Sequence, residues 1–328
     1  MLKILPSLLL VNSLLISQSL SSSLTQRGGE HNALFLNPTY LIQAKIIKEK
    51  INGNILNSSI IIDNKSLNFI KELNSADNNQ EISKLLKKNI GKQLSLSVNN
   101  FSSLYQIKEN IAYSLGVAYT LDGYFITHSG FGSKRALETA IEKNQAVVGT
   151  AVLKHKQLEY GINLKLINRS QTIYNYSIAE MLTQESLWDY IDNSHTQKES
   201  AVALDFGISY NLPRNSWNTK LSLALLNVGD TSFQELGTTE QSTTLGLSLD
   251  PHNTHIKIDY FDNSLRADIS KSFFNKSIEL HSGVIHNALS LGLNYNFSIF
   301  TIGLFSYKTE GYHQKEERKN ELSLVTKW

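Results

Sequence analysis

The chain has 328 residues, a formal net charge of +2 and no cysteine. This composition excludes a disulfide scaffold, a thiolate metal site, a catalytic cysteine and a lipid-modified cysteine, and the near-neutral charge offers no electrostatic footprint for nucleic acid. The length allows one large barrel or two ordinary domains.

The first 23 residues have the pattern of a secretory signal peptide. Lys3 supplies a positive charge, residues 4–16 form an apolar core, and a serine-rich stretch follows. The core is too short for a comfortable membrane-spanning helix, which needs about 20 apolar residues, and no later segment comes near that length. We therefore expect residues 1–23 to be a cleaved export signal, with an uncleaved N-terminal anchor as the alternative.

Most of the remaining chain alternates apolar and polar side chains, most clearly over residues 202–212. Successive side chains of a strand lie on opposite faces, so each such segment predicts a strand with one apolar and one polar face. We predict about fourteen strands. They lie near residues 43–62, 92–107, 110–129, 145–155, 157–176, 199–211, 217–228, 240–250, 254–261, 265–273, 277–286, 288–297, 299–308 and 319–328.

The connections between these strands alternate in length. Every second connection is a short turn, whereas most of the others are longer, near residues 63–91, 130–144, 177–198, 229–239 and 309–318. Short periplasmic turns and long external loops are typical of outer-membrane barrels. The sequence therefore predicts an all-β, antiparallel transmembrane barrel of about fourteen strands in the outer membrane of a Gram-negative-type bacterium.

Helical patterns interrupt three of the long connections, near residues 66–90, 132–142 and 178–191. In the first of them, apolar residues recur at helical spacing, for example Ile82, Leu85 and Leu86. We expect these apolar faces to fold down on the barrel mouth; a partner-binding surface is the alternative.

The alternation also assigns a polar inner face. If Leu204 and Phe206 contact lipid, Asp205 faces the lumen, and a charge at Phe206 should block membrane assembly whereas Asp205→Asn should be tolerated. Charges on neighbouring strands can pair across a hairpin. The inward charges indicate a polar conduction path or a ring of residues that binds a ligand, or else a salt-bridge network that fills a narrow barrel. The predicted lumen-facing charges are Glu159, Lys165, Arg169, Asp205, Lys257, Asp259, Arg266 and Asp268.

No catalytic or metal-binding motif emerges from the sequence. His252 and His255 straddle a turn without a carboxylate at ligand spacing, and no serine lies in a Gly-x-Ser-x-Gly motif. We therefore predict that the protein is not an enzyme and needs neither cofactor nor metal.

The last predicted strand ends on an aromatic residue, Trp328, with Leu322 and Leu324 on the same face. A terminal aromatic on such a strand resembles the signal by which outer-membrane assembly machinery recognises barrel proteins. We expect these three residues to serve as that signal.

Several short motifs carry a family resemblance. The segment Ala33-Leu34-Phe35-Leu36-Asn37-Pro38-Thr39 resembles the Ala-Leu-Phe-x-Asn-Pro-Ala opening of FadL-type barrels, with threonine in place of the last alanine. In order, the motifs are most similar to the TraF-like family, named after plasmid conjugal-transfer genes. Further similar stretches are residues 91–96, 160–165, 174–177, 204–207 and 225–227.

The resemblance implies an N-terminal plug inside the barrel, which would include Asn37 and Pro38. It divides the chain into a signal peptide at 1–23, a plug at 24–42 and a barrel at 43–328. The function it implies is small-molecule transport, or a part in a conjugation or secretion assembly. Expected partners are outer-membrane lipid, the assembly machinery, and envelope proteins or a small hydrophobic or amphipathic ligand. The alternative is a soluble periplasmic β-rich binding protein.

Overall fold

The computed structural model describes residues 36–44, 51–76, 78–128, 137–176, 196–213, 216–261, 264–285, 288–310 and 316–326. The predicted signal peptide, the predicted helix at 178–191 and Trp328 lie outside these residues.

Fourteen of the sixteen described strands form one closed antiparallel sheet, and the other two, β8 and β9, form a small separate hairpin. The sheet closes where the first strand pairs with the last, from Leu56 opposite Thr326 to Asp63 opposite Lys319. The predicted fourteen-stranded antiparallel barrel is therefore confirmed. The strands are β1 Asn52–Asp63, β2 Gln93–Lys108, β3 Ile111–Thr127, β4 Leu137–His155, β5 Leu158–Tyr176, β6 Thr196–Asn211, β7 Lys220–Leu226, β8 Thr231–Phe233, β9 Gly237–Thr239, β10 Ser242–Leu249, β11 Thr254–Phe261, β12 Ser264–Phe273, β13 Ile278–Ile285, β14 Ala288–Asn296, β15 Phe300–Glu310 and β16 Glu316–Thr326.

The period-two alternation of the strands separates the two surfaces of the barrel wall. On β5 the side chain of Leu164 is 49% exposed on the outside, whereas its neighbour Asn163 is completely buried. On β6 Leu204 and Phe206 are exposed, and Asp205 between them is buried. Leucine, isoleucine and valine predominate among the exposed outward residues of the other strands, so the outside of the barrel is apolar.

The connections differ between the two ends of the barrel. At the lower rim, adjacent strands are joined by tight turns, such as the one at Glu109 and Asn110 and the one at Lys156 and Gln157. At the upper rim, β1 and β2 are joined by two helices, α1 Asn64–Asn74 and α2 Asn79–Lys88. No helix among the described residues is long and apolar enough to cross a membrane.

Two sequence predictions need correction. The helix predicted at 132–142 is wrong over 137–142, because β4 begins at Leu137 and its backbone pairs with β3 and β5 along its whole length; residues 132–136 lie outside the described part. The first strand begins at Asn52 rather than at residue 43. The described segment that precedes it, residues 36–44, contains a 3-10 helix at Pro38–Gln43, called here the plug helix.

Candidate functional site

The plug helix begins with a capping arrangement that its sequence specifies. The Asn37 side-chain oxygen accepts hydrogen bonds from the Thr39 backbone nitrogen at 3.0 Å and the Thr39 hydroxyl at 2.8 Å. Pro38 occupies the first helical turn, where its missing N–H costs nothing and its fixed φ favours the helix. The two residues predicted to belong to a plug therefore start a short, rigid turn.

Polar contacts attach the plug helix to the inner wall of the barrel. The Asn37 amide donates to the Leu223 carbonyl at 3.1 Å. The hydroxyls of Thr39 and Ser209 lie 2.5 Å apart, and those of Tyr40 and Ser222 lie 2.9 Å apart. Because these partners belong to β6 and β7, the plug is fixed to one side of the lumen.

A pair of glycines lets the plug approach the wall this closely. Gly161 and Gly207 face each other on β5 and β6. A Cβ on Gly161 would lie 2.7 Å from the Pro38 Cβ and 2.8 Å from the Thr39 nitrogen, and a Cβ on Gly207 would collide with the Asn37 amide oxygen. Any larger residue at either position would therefore push the plug away. Sequence reasoning missed this pair, although each glycine interrupts an alternating strand on its polar face.

Apolar packing completes the seat of the plug helix. Its residues pack into one buried cluster with inward side chains of β2, β3, β4 and β7. The residues of the cluster are Leu36, Tyr40, Leu41, Ala44, Tyr105, Ala112, Val152, Ala224 and Leu226. Since these inward wall positions are apolar or small, the lower lumen presents a surface on which an apolar segment can bury itself.

Two lysines flank the Tyr40 ring. The Lys220 and Lys257 Nζ atoms lie 5.6 Å and 5.4 Å from the ring centroid, within cation–π distance. Burial raises the pKa of the Tyr40 hydroxyl above its ordinary value of 10.0, although the nearby Lys257 opposes this shift. The hydroxyl therefore stays protonated at neutral pH and keeps its hydrogen bond to Ser222.

The charged residues next to the plug are closely paired. Lys165 Nζ lies 2.6 Å from Asp205 Oδ2, which also accepts from the Asn163 amide at 3.0 Å, and Asp205 Oδ1 accepts from the Asn227 backbone nitrogen at 3.0 Å. Glu159 forms a buried ion pair with Lys220, a residue that sequence reasoning did not select. We call this face of β5–β7 the plug wall. Its charges form two ion pairs, each with further hydrogen bonds to neighbouring residues.

A second group of charges lies on the inner face of β11–β14, called here the charged wall. The register sets Lys257 opposite Asp268 and Asp259 opposite Arg266, as a hairpin pairing requires. The ion pair at 2.9 Å, however, joins Lys257 to Asp259 on the same strand. Buried oxygens of Asp259, Asp268 and Ser290 have no hydrogen-bond partner among the described residues.

Sequence reasoning also missed the histidine on the charged wall. His281 Nδ1 lies 3.3 Å from Asp268, and its Nε2 lies 3.5 Å from Glu279 and 3.1 Å from the Asn294 amide. Isolated residues on a short strand carry no motif, so only the register of β12–β14 brings these groups together. No group of histidines and carboxylates in the described ranges has the arrangement of a metal site.

Arg169 fixes a second element near the lumen. Its guanidinium donates to the Leu236 carbonyl at 3.3 Å and the Thr239 hydroxyl at 2.9 Å, and it stacks 4.2 Å from the centroid of the Phe233 ring. These three partners belong to the connection that carries the β8–β9 hairpin. Phe233 is buried, so the hairpin is held against the wall instead of extending into solvent.

The residues predicted to form the assembly signal lie on the last strand. Leu322 is exposed on the outer face and Leu324 is half-buried, while Trp328 lies outside the described residues. Their role as an assembly signal stays a prediction.

The fold is similar to that of several solved transport barrels. The toluene transporter TbuX from Ralstonia pickettii is 11% identical, with 96% of this chain and 99% of that chain covered and a TM-score of 0.61. The toluene transporter TodX from Pseudomonas putida is 12% identical, with 92% and 94% covered and a TM-score of 0.56. The monoaromatic hydrocarbon channel CymD is 13% identical, with 91% and 93% covered and a TM-score of 0.52.

At these identities the likeness shows the shared barrel fold and nothing finer. No family model and no curated protein matches the chain. The TraF-like part of the resemblance therefore stays a prediction.

Proposed function

We propose that the protein is an outer-membrane channel for a small molecule, held closed at rest by the plug helix. The observation that carries this proposal is the seat of the plug on Gly161 and Gly207 inside a closed barrel. The apolar outer surface supports the membrane location, because exposed leucines on every side would be an aggregation hazard in water but match a lipid environment.

The lumen favours a solute with polar or charged groups. The charged wall presents Lys257, Asp259, Asp268 and His281 toward the interior, and several of its polar oxygens have no hydrogen-bond partner among the described residues. A desolvated polar group without a partner is costly, so this wall favours water or a polar solute against it. An apolar hydrocarbon would satisfy none of these groups.

A hydrocarbon solute is the second candidate. It is supported by the likeness to TbuX and TodX, which are toluene transporters, and to CymD, a monoaromatic hydrocarbon channel, and by the apolar cluster around Leu41. Uptake of a monoaromatic hydrocarbon and of a zwitterionic solute of similar size into the same vesicles distinguishes the two candidates.

The decisive experiment loosens the plug without altering the charges. The double variant Gly161→Val and Gly207→Val introduces methyl groups where Pro38 and Asn37 lie. Overpacking typically costs about 1–3 kcal/mol, which should shift the plug equilibrium about 5-fold to 150-fold toward the open state. We expect a matching rise in single-channel open probability or in solute uptake by reconstituted vesicles.

The matched control is Gly149→Val. Gly149 also interrupts a barrel strand, but a Cβ there would have no neighbour within 4 Å. This variant should conduct like the parent protein. If the double variant assembles as a barrel and neither conducts nor transports any solute, the channel proposal fails. Capture of envelope proteins would then favour a part in a conjugation or secretion assembly, and release of the parent protein by osmotic shock would favour a soluble periplasmic binding protein.

A further inference from the structure

The β8–β9 hairpin lies on the inner face of the barrel wall. Arg169, which holds the hairpin, follows the inward Lys165 by four residues on β5, so both side chains lie on the same face. Glu199 of β6 is directly opposite Arg169 and shares that face. The Glu199 carboxylate accepts a hydrogen bond from the Glu235 backbone nitrogen of the hairpin at 2.7 Å. The hairpin therefore contacts inward side chains of two neighbouring strands.

The chain turns toward the lumen as soon as β7 ends. Asn227, Gly229 and Asp230 have left-handed φ angles of 52°, 78° and 60°, which glycine, asparagine and aspartate adopt more readily than other residues. The Asn227 backbone nitrogen donates to the inward Asp205 carboxylate at 3.0 Å. The Gln241 backbone nitrogen donates to the Asp230 carboxylate at 2.7 Å, which ties the two ends of the hairpin together. This bend fixes the direction in which the hairpin leaves the wall.

The two faces of the hairpin differ in burial. Thr231 and Phe233 are buried, whereas Ser232 between them is exposed. Ser232 is opposite Thr238, which is also exposed, so the two hydroxyls lie on the same face. Because the Phe233 ring stacks on the Arg169 guanidinium, the buried face is the one against the wall. The exposed face is therefore directed away from the wall, toward the lumen.

The hairpin and the plug helix contact the wall at two different levels. Arg169 lies eight residues along β5 from Gly161, a distance of about 26 Å at about 3.3 Å per residue. Gly161 contacts the plug helix, and Arg169 contacts the hairpin. The lumen between these levels contains the ion pair of Lys165 with Asp205. A solute that enters from the upper rim reaches the hairpin before it reaches the plug helix.

We propose that the β8–β9 hairpin is a constriction of the lumen above the plug helix, which limits the size of the solute that passes. The inference rests on the channel proposed above. A segment folded against the inner wall occupies part of the cross-section that the strands enclose. The contacts with Arg169 and Glu199 hold the hairpin in that position, so a solute passes its polar face, which carries Ser232 and Thr238.

Cross-linking tests the position of the hairpin without requiring conduction. The chain has no cysteine, so a short bifunctional thiol reagent joins only introduced thiols. In the full-length protein in detergent, it should link the pair Glu199→Cys and Glu235→Cys at least about tenfold faster than the pair Ser200→Cys and Glu235→Cys. Ser200 is the matched control, because it is the exposed neighbour of Glu199 on the outer face. Equal rates for the two pairs would overturn the proposal.

Polymer exclusion tests the size limit. The conductance of the variant Gly161→Val, Gly207→Val, in which the plug is loosened, is recorded in planar bilayers with polyethylene glycols of increasing mass. Adding Arg169→Met and Phe233→Ala removes hydrogen bonds to a charged group and a cation–π contact. This change should raise the population of the displaced hairpin at least about tenfold. The four-residue variant should then admit polymers that the two-residue variant excludes.

The matched control makes the same two changes at exposed positions, Arg318→Met and Phe273→Ala, in the same background. It should leave the exclusion limit unchanged. Barrel assembly of every variant is checked by heat-dependent gel migration. An exclusion limit that stays the same in the four-residue variant, or that rises equally in the control, would overturn the constriction and leave the channel intact. If the cross-link forms and no variant conducts, the channel itself is refuted, and the constriction with it.

Discussion

The plug wall and the charged wall of the lumen both bury ionised residues, but these residues differ in how many hydrogen-bond and ionic partners they have. On the plug wall Asp205 has three hydrogen-bonding or ionic partners, and Glu159 and Lys220 are paired with each other. On the charged wall Asp259 and Asp268 each have a buried oxygen without a partner among the described residues. A buried ion stabilises its surroundings only when all its bonds are made, so the first network holds structure and the second is available to water or a solute.

The largest difference between the two walls should appear at Asp205. Replacing Asp205 by alanine leaves the Lys165 ammonium buried without its carboxylate, which typically costs about 3–5 kcal/mol. We expect a marked fall in the unfolding temperature of the barrel in detergent, read by the heat-dependent shift in gel migration. The sequence alone led us to expect that Asp205→Asn is tolerated; the three contacts of this carboxylate now lead to the opposite expectation.

A double variant separates the lost ion pair from a general packing defect. Lys165→Met combined with Asp205→Leu removes both charges and leaves neither partner uncompensated. This variant should be more stable than Asp205→Ala alone. If it is less stable, the charges are not the source of the effect.

An intermediate effect is expected at Arg169, beside the plug wall. Arg169→Met removes the hydrogen bonds to Leu236 and Thr239 and the cation–π contact with Phe233. These bonds to a charged group contribute about 1.5–3 kcal/mol each at most, so the hairpin should loosen while the barrel persists. Amide hydrogen exchange should rise over residues 231–239 and stay unchanged in β12 and β13. Strand β4 does not serve as the control, because the Arg169 guanidinium also contacts Asn144 and Glu142 there. Unchanged protection of the hairpin would show that other contacts hold it.

The smallest effect on stability is expected on the charged wall. Asp268→Asn keeps the shape of the side chain and removes a charge whose second oxygen has no partner among the described residues, so unfolding should change by less than about 1 kcal/mol. The ion preference of the channel should nevertheless shift toward anions, because one negative charge leaves the lumen. Reversal potentials across a salt gradient measure this change. A stability loss as large as that of Asp205→Ala would remove the distinction between the walls.

Much of the barrel could be predicted because period-two alternation is local. The order of Leu204, Asp205 and Phe206 is enough to predict which side chains lie on the outer face of the wall and which lies on the inner face. The same pattern recurs in every long strand. The helix at 132–142 failed for a related reason. The apolar residues of a short segment can match both the helical period of 3.6 residues and the strand period of two. Here the segment is a strand, because the backbone of Ile141 pairs with β3 and β5.

The segment inside the lumen could be predicted only in part, and its role as a plug stays a prediction. Asn37 and Pro38 form a local turn that a motif can signal: Asn37 caps the plug helix and Pro38 is its first residue. The wall residues that contact it could not be predicted from the sequence. Gly161, Gly207, Ser209 and Ser222 lie on three different strands, and they meet the plug helix only once those strands are paired in the barrel.

The sequence by itself therefore determined which residues form strands and which face of each strand is polar, because both follow from the geometry of neighbouring residues. Only the tertiary structure decided how the polar residues are used. The register between strands put Lys165 against Asp205 and Lys220 against Glu159, but it left oxygens of Asp259 and Asp268 without a partner in the described part of the lumen. Whether a buried charge is structural or available depends on partners that are far away in sequence, and such distances are set only when the barrel closes.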